Sequence, residues 1–65
     1  MNRNDAVRGT RVRVRDAVVL LHRGREGEIG ARADSDGMCL VTLDKTSTSK
    51  RIAAWLHHDD LEALS

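Results

Sequence analysis

The residues best suited to chemistry gather near the end of the chain, in the stretch "WLHHDDLEAL". It contains the single aromatic residue of the chain, two of the three histidines and two adjacent aspartates, which are Trp55, His57, His58, Asp59 and Asp60. A zinc site needs three or four convergent ligands with hydrogen-bonding support around them. Neighbouring residues of a strand project to opposite faces, so we do not expect both histidines to reach one metal ion.

This cluster is therefore interpreted as a turn over residues 57–60, with Asp59 or Asp60 capping backbone N–H groups. The alternative is a metal site that brings the turn together with the distant His22 or Cys39. The turn interpretation predicts that the protein binds no metal and no cofactor.

Nucleophilic catalysis would depend on Cys39, the single thiol of the chain. In "MCLVTLD" the alternation places Cys39 on the same face as Val41 and Leu43, which we expect to be the core. A buried thiol behaves as an inert small hydrophobe, whereas a reactive thiol needs an exposed electropositive setting. The glycines of "GREGEIG" are not a phosphate cradle, because no GxxxxGK[ST] pattern is present. We predict that the protein is not an enzyme and has no small-molecule substrate.

The arginines are unevenly distributed along the chain. Residues 1–32 contain eight arginines against four acidic residues, and residues 33–65 contain three cationic against six acidic residues. In "TRVRVR" the arginines alternate with valines, so they form a row spaced by about 7 Å on one strand face. Such a row could bind the phosphates of RNA or DNA, and Trp55 could stack a base. The alternative is a solvated face whose arginines pair with Glu28 or Asp44.

A second candidate surface is apolar. Alternation in "MCLVTL" and "RIAAWL" sends Met38, Leu40 and Trp55 outward, and these residues form one patch if the two strands are neighbours. Exposed apolar side chains of this size mark a partner surface or a seam between copies of the chain. The alternative is that the N-terminal tail or the long first loop covers them.

Short strands separated by turns must position these side chains. "TRVRVR", "MCLVTLD" and "RIAAWL" have the alternation of strands, "ADSDG" and "KTSTSK" are turn-like, and "DAVVLL" either continues the first strand or begins a loop. Three glycines, Gly24, Gly27 and Gly30, indicate a bulge or sharp bend within a β pattern. "DDLEAL" reads as a helix with a capping box or as a turn followed by a last strand "LEAL". We favour the second, because so short a helix is unstable by itself.

Length and composition limit the possible classes of protein. Sixty-five residues form one domain, and we expect a flexible tail over residues 1–8 and a folded domain over residues 9–65. One cysteine cannot form an intramolecular disulfide, which fits a reducing cytoplasm. No apolar run approaches the roughly 20 residues of a membrane-spanning helix. The sequence thus predicts a cytoplasmic protein without a membrane partner.

In this order the features resemble the small SH3-like barrels of the KOW type. Those domains open with Gly-x-x-Val-x-Val, found here at residues 9–14, and continue with a glycine-turn-hydrophobic unit, found at 24–29. A strand that ends in Val-x-Leu-Asp matches residues 41–44. An apolar strand residue, a one-turn helix and Leu-Glu match residues 56–62. The chain departs from the typical pattern in "DAVVLLH", which changes the first loop.

The resemblance implies an all-β, five-stranded SH3-like barrel with a short 3-10 turn near the C-terminus. It also implies RNA contacts near the glycine-rich loop. The candidate nucleic-acid contacts are Arg11, Arg13, Arg15, Arg23, Arg25 and Arg32. Type II dihydrofolate reductases use this fold at this size, but their reactive Val-Gln-Ile-Tyr is replaced here by Ala-Ala-Trp-Leu at residues 53–56. Their activity is therefore not expected.

The function that we predict is that of a small non-enzymatic binding or accessory module. It would act through a protein interface formed by Trp55, Met38 and Leu40, with either a partner protein or a second copy of the chain. The alternative is nucleic-acid binding through the arginine row and the glycine-rich loop.

Overall fold

A computed structural model describes residues 1–15, 22 and 24–64 of the chain. Within these residues it contains five strands and two short 3-10 turns. The strands are β1 (Arg11–Val14), β2 (Glu26–Ala31), β3 (Met38–Leu43), β4 (Ile52–His57) and β5 (Leu61–Ala63). The 3-10 turns span Arg3–Asp5 and His58–Asp60. No helix in the described part of the chain is long and apolar enough to cross a membrane.

The five strands form one antiparallel sheet in the order β4-β3-β2-β1-β5. The all-β class and the 3-10 turn before the last strand are therefore confirmed. That turn contains only three residues, so the end of β4 and the start of β5 lie within about 14 Å. The edges of a flat five-stranded sheet would be about 19 Å apart. The sheet must therefore curl until its two edges approach each other at one end.

The prediction of a closed barrel is nevertheless wrong. Within the described residues, β4 and β5 are the two edges of an open sheet, and no ladder joins them. Closure would require such a ladder, but the 3-10 turn His58–Asp60 interrupts the extended backbone where the ladder would begin. All three residues of β5 pair with β1 on its other side.

One face of the sheet forms the core, as the alternation predicts. Val12 and Val14 of β1 are fully buried, whereas Arg13 between them is exposed. Cys39 has no exposed surface and lies among apolar side chains, so burial raises the pKa of its thiol. Among the described residues, the buried apolar ones are Ala6, Val12, Val14, Ile29, Ala33, Cys39, Val41, Leu43, Leu56 and Leu61.

Ala6 belongs to this core although it lies in the segment 1–8 that we predicted to be a tail. The backbone N–H of Ala33 donates to the Ala6 carbonyl at 3.3 Å, and the N–H of Gly9 donates to the carbonyl of Ile29 at 2.7 Å. Ala6 and Val7 are an isolated apolar pair without any alternation, so the sequence did not indicate this contact. The boundary at residue 9 and the mobility of the segment stay predictions.

Glycines allow the tight approaches that the curled sheet needs. Gly27 of β2 is buried, and a Cβ atom there would overlap the carbonyl oxygen of Thr42 on β3. The β2–β3 register shifts between Ile29 and Ala31, so the bulge indicated by the glycines lies at Gly30.

The turn "ADSDG" joins β2 to β3 as predicted. The Asp34 carboxylate accepts hydrogen bonds from the N–H groups of Asp36 at 2.9 Å and Met38 at 3.0 Å. Gly37 completes the turn with a φ of +83°, a conformation that favours glycine.

Candidate protein-interaction face

The predicted apolar side chains meet on the outer face of β3 and β4. Trp55 lies directly opposite Leu40 in the antiparallel register, and Ala53 lies opposite Thr42. Met38 is two residues before Leu40 on the same strand face, because Cys39 between them points into the core. We call the surface formed by Met38, Leu40, Ala53 and Trp55 the apolar patch.

Exposure within the apolar patch is graded toward the edge of the sheet. Trp55 is 56% exposed, whereas Leu40 and Met38 on the inner strand are half-buried. The structure therefore brings together the three residues that the sequence placed on a partner surface.

The strand that carries Trp55 is itself unprotected. β4 is an edge strand whose sequence, "IAAWLH", contains no Asp, Glu, Lys, Arg or Pro. Ile52 at its start is 39% exposed, and Ala53 is also exposed. Among the described residues, none pairs with the outer edge of β4, so that edge presents unpaired backbone N–H and C=O groups.

The first two members of the arginine row lie on the outer face of β1 and are held by acidic side chains. Arg11 donates from both terminal nitrogens to the Asp44 carboxylate, at 3.3 and 2.5 Å. This hydrogen bonding holds the pKa of Asp44 below its ordinary value. Arg13 forms an ion pair with Glu62 of β5, donating from Nε at 2.6 Å. Two of the three cations therefore already have counter-charges.

Of the remaining candidate arginines, the structure describes Arg15, Arg25 and Arg32. Arg15 donates to the carbonyl of Asp59 at 3.2 Å. Arg32 is exposed and makes no hydrogen bond or ion pair among the residues that the structure describes, and Arg23 lies outside them. The pairing of Arg11 with Asp44 is the arrangement that the solvated-face alternative anticipated.

Arg25 has a structural role that sequence reasoning missed. One of its terminal nitrogens donates to two backbone carbonyls, of Asp44 at 2.6 Å and of Lys50 at 2.9 Å, and so joins the two ends of the "KTSTSK" loop. The loop and residues 24–26 line an open cleft of about 590 Å³. Loop hydroxyls and both signs of charge line it, and no group stands out as a nucleophile or base. No periodic signal in the sequence links Arg25 to carbonyls 19 and 25 residues away.

The histidine turn differs from our expectation in two respects. His57 and His58 do not project apart, because His58 is the first residue of the 3-10 turn; their ring centroids lie 4.3 Å apart. The cap is His57 rather than an aspartate, since its Nδ1 accepts from the N–H of Asp59 at 3.1 Å. The ring of His57 fits because Gly37 has no side chain: a Cβ atom there would lie 2.6 Å from His57 Nε2.

Potential metal ligands also converge at this turn. One ligand atom from each of His57, His58 and Asp59 lies within 4.8 Å of the other two, and neither His22 nor Cys39 belongs to this group. Both Nδ1 atoms already have partners, since that of His57 caps the turn and that of His58 lies 2.8 Å from the carbonyl oxygen of Met1. A metal ion at either Nδ1 would displace these bonds. The hydrogen-bonded turn therefore accounts for the convergence.

The chain matches no protein-family model, and neither a curated protein nor a solved structure is significantly similar to it.

Proposed function

We propose that this chain is a small non-enzymatic binding or accessory module that docks a protein through the apolar patch. The observation that carries this proposal is the position of Trp55. Its indole is 56% exposed, lies across from Leu40 and sits on an edge strand without charged residues. Tryptophan is the residue type most enriched where interfaces derive their binding energy, because one side chain buries a large area with few rotatable bonds.

A protein is favoured over a nucleic acid because of how the cations are used. Arg11 and Arg13 are paired with carboxylates, and Arg15 and Arg25 are bonded to backbone carbonyls. Phosphate binding would have to replace these contacts. Sequence-tolerant binding of single strands also relies on successive aromatic side chains, and this chain has a single tryptophan. Nucleic-acid binding is thus the outcome that would overturn the proposal.

The SH3-like relation is part of the same proposal. It is supported by five short antiparallel strands in one curled sheet and by the 3-10 turn between β4 and β5. The buried Cys39, which has no second thiol to pair with, fits a reducing cytoplasm.

The test compares capture of partners by three immobilised forms of the chain: the wild type, Trp55→Ala and Val7→Ala. Val7 is the matched control, because it is apolar and 41% exposed but belongs to the N-terminal segment. We expect a partner that the wild type and Val7→Ala retain and that Trp55→Ala loses by at least a factor of 30 in Kd, about 2 kcal/mol for a hot spot. Equal retention by all three forms would contradict the proposal.

The nucleic-acid alternative has its own readout. Short single-stranded RNA and DNA are titrated into the wild-type chain at two salt concentrations while the fluorescence of Trp55 is followed. We expect no saturable change. Binding that weakens steeply with salt, as release of counterions from phosphates requires, would favour the arginine row instead.

A further inference from the structure

The outer edge of β4 has the features of a strand that pairs with another strand. It spans six residues, carries no charged side chain and has no pairing partner among the described residues. Natural sheets avoid such edges by shortening them or by placing lysine or proline in them. An edge strand that is neither short nor interrupted by lysine or proline is suited to strand addition, in which backbone hydrogen bonds supply the affinity.

The charges at the two ends of β4 are opposite in sign. Lys50 and Arg51 immediately precede the strand, and both are exposed. Asp59 and Asp60 follow it in the 3-10 turn, and the side chain of Asp59 is 71% exposed. A strand with a cationic start and an anionic end is complementary to an antiparallel copy of itself. A parallel copy would instead place like charges together.

We propose, building on the proposed function, that the partner of the apolar patch is a second copy of this chain, which pairs antiparallel with β4 along its outer edge. The two sheets would join into one continuous sheet around a two-fold axis. A two-fold axis perpendicular to the sheet places outer-face residues of one copy opposite outer-face residues of the other. The axis must therefore pass beside one residue of β4, which faces its own copy, and not between two consecutive residues.

Pairing about Trp55 satisfies this condition and matches the charges. In that register Trp55 faces Trp55 of the second copy, and Ala53 faces its His57, all on the outer face. The same register brings Lys50 and Arg51 of one copy to the end of β4 in the other copy, where the 3-10 turn carries Asp59 and Asp60. The Ala53–His57 pair and each charge pair would therefore occur twice in the dimer, whereas the Trp55–Trp55 pair lies on the axis and occurs once.

The first test is a charge exchange followed by sedimentation equilibrium over a range of concentrations. Arg51→Glu alone and Asp59→Arg alone each place like charges together twice per dimer, so each should weaken the dimer about tenfold. The double variant Arg51→Glu with Asp59→Arg restores opposite charges and should recover the wild-type Kd to within about threefold. Arg8→Glu and Asp5→Arg are the controls, since both residues are exposed and belong to the segment before β1.

The second test measures distances in a mixture of isotope-labelled and unlabelled chains by filtered NOE spectroscopy. Within one chain, the Ala53 methyl group and the His57 ring are four strand residues apart, about 13 Å, which is too far for an NOE. In the proposed register the two groups face each other across the dimer. An NOE between them therefore reports the antiparallel pairing about Trp55 directly.

The outcomes separate this inference from the proposed function. A chain that is monomeric at all concentrations overturns the self-pairing, yet loss of a captured protein in Trp55→Ala would still support the apolar patch. A dimer that both single charge variants leave intact, or that the double variant does not restore, overturns the β4 register. A dimer that follows the charge exchange and gives the NOE from Ala53 to His57 supports it.

Discussion

The two edge strands of the sheet, β4 and β5, differ in length and in charge. β5 has three residues, and the charged Glu62 at its centre is held by Arg13 of the neighbouring strand. β4 is twice as long, carries no charged side chain and exposes Trp55 and Ile52. A short charged edge is the usual protection against unwanted pairing, and a long uncharged edge lacks it. The same chain therefore protects one edge of its sheet against pairing with another strand and leaves the other edge unprotected.

The outer face of the sheet shows the same division. Toward β1 and β5 it consists of arginines paired with carboxylates, and toward β3 and β4 it consists of the apolar patch. The two ion pairs join residues that are distant in sequence, so they tie β1 to the residue after β3 and to β5. Among the residues that the structure describes, no side-chain hydrogen bond or ion pair crosses the apolar patch. Charge around β1 therefore has a positioning role, and the apolar patch is the surface that we propose for binding.

The largest expected effect is on the free energy of unfolding, to which we expect β5 to contribute more than the exposed side chain of β4. Leu61 of β5 has no exposed surface, so Leu61→Ala should lower the free energy of unfolding by about 3 kcal/mol. Such a loss is large for a domain of this size, whose total stability is on the order of 3–10 kcal/mol. Trp55→Ala should cost less than about 1 kcal/mol, because the indole is 56% exposed.

Urea unfolding followed by far-UV circular dichroism measures both values. Leu64→Ala is the matched control for the same end of the chain, since Leu64 is 36% exposed. We expect it to stay within about 1 kcal/mol of the wild type. A Trp55→Ala variant as unstable as Leu61→Ala would show that the indole belongs to the core and would remove the contrast between the edges.

A smaller effect tests the charge that protects β5. Glu62→Gln keeps the size of the side chain and removes the ion pair with Arg13, whose two partners are each a little under half exposed. Exposed pairs contribute little, so we expect a loss of about 0.5 kcal/mol that shrinks as salt is added. Glu28→Gln is the control on the same face, since Glu28 has no side-chain hydrogen bond among the described residues. Equal losses in the two variants would contradict a specific role for Glu62.

The alternation of apolar and polar residues was sufficient to predict the strands that have one buried face. Alternation identified the inward Cys39, Val41 and Leu43 and the outward Trp55, because a one-residue slip would exchange the two faces. Turn chemistry likewise located the turn that ends at Gly37. In these regions the local pattern and the tertiary structure agree.

The remaining features depend on contacts between distant residues, which have no periodicity. The partner of Arg13 is Glu62, and this pair exists only because β5 lies beside β1. The cap at His57 depends on where β4 ends. The hydrogen bonds from Arg25 to the carbonyls of Asp44 and Lys50 depend on the path of the loop between β3 and β4. The open sheet depends on the 3-10 turn that interrupts the backbone between β4 and β5. None of these could be read from spacing alone.

The smallest expected effect concerns the Arg11–Asp44 pair and appears only in acid. Hydrogen bonding to Arg11 lowers the pKa of Asp44 in the folded chain. The pair therefore stabilises the fold above the pKa of the unfolded state, which is about 3.9, and this stabilisation is lost as the pH falls through the lower folded-state pKa. Asp44→Asn should be less stable than the wild type at pH 6, and the two urea midpoints should converge below pH 4. A difference between the two urea midpoints that stays constant down to pH 2.5 would mean that the charge of Asp44 does not contribute to stability. The ion pair with Arg11 would then be a consequence of the fold and would not stabilise it.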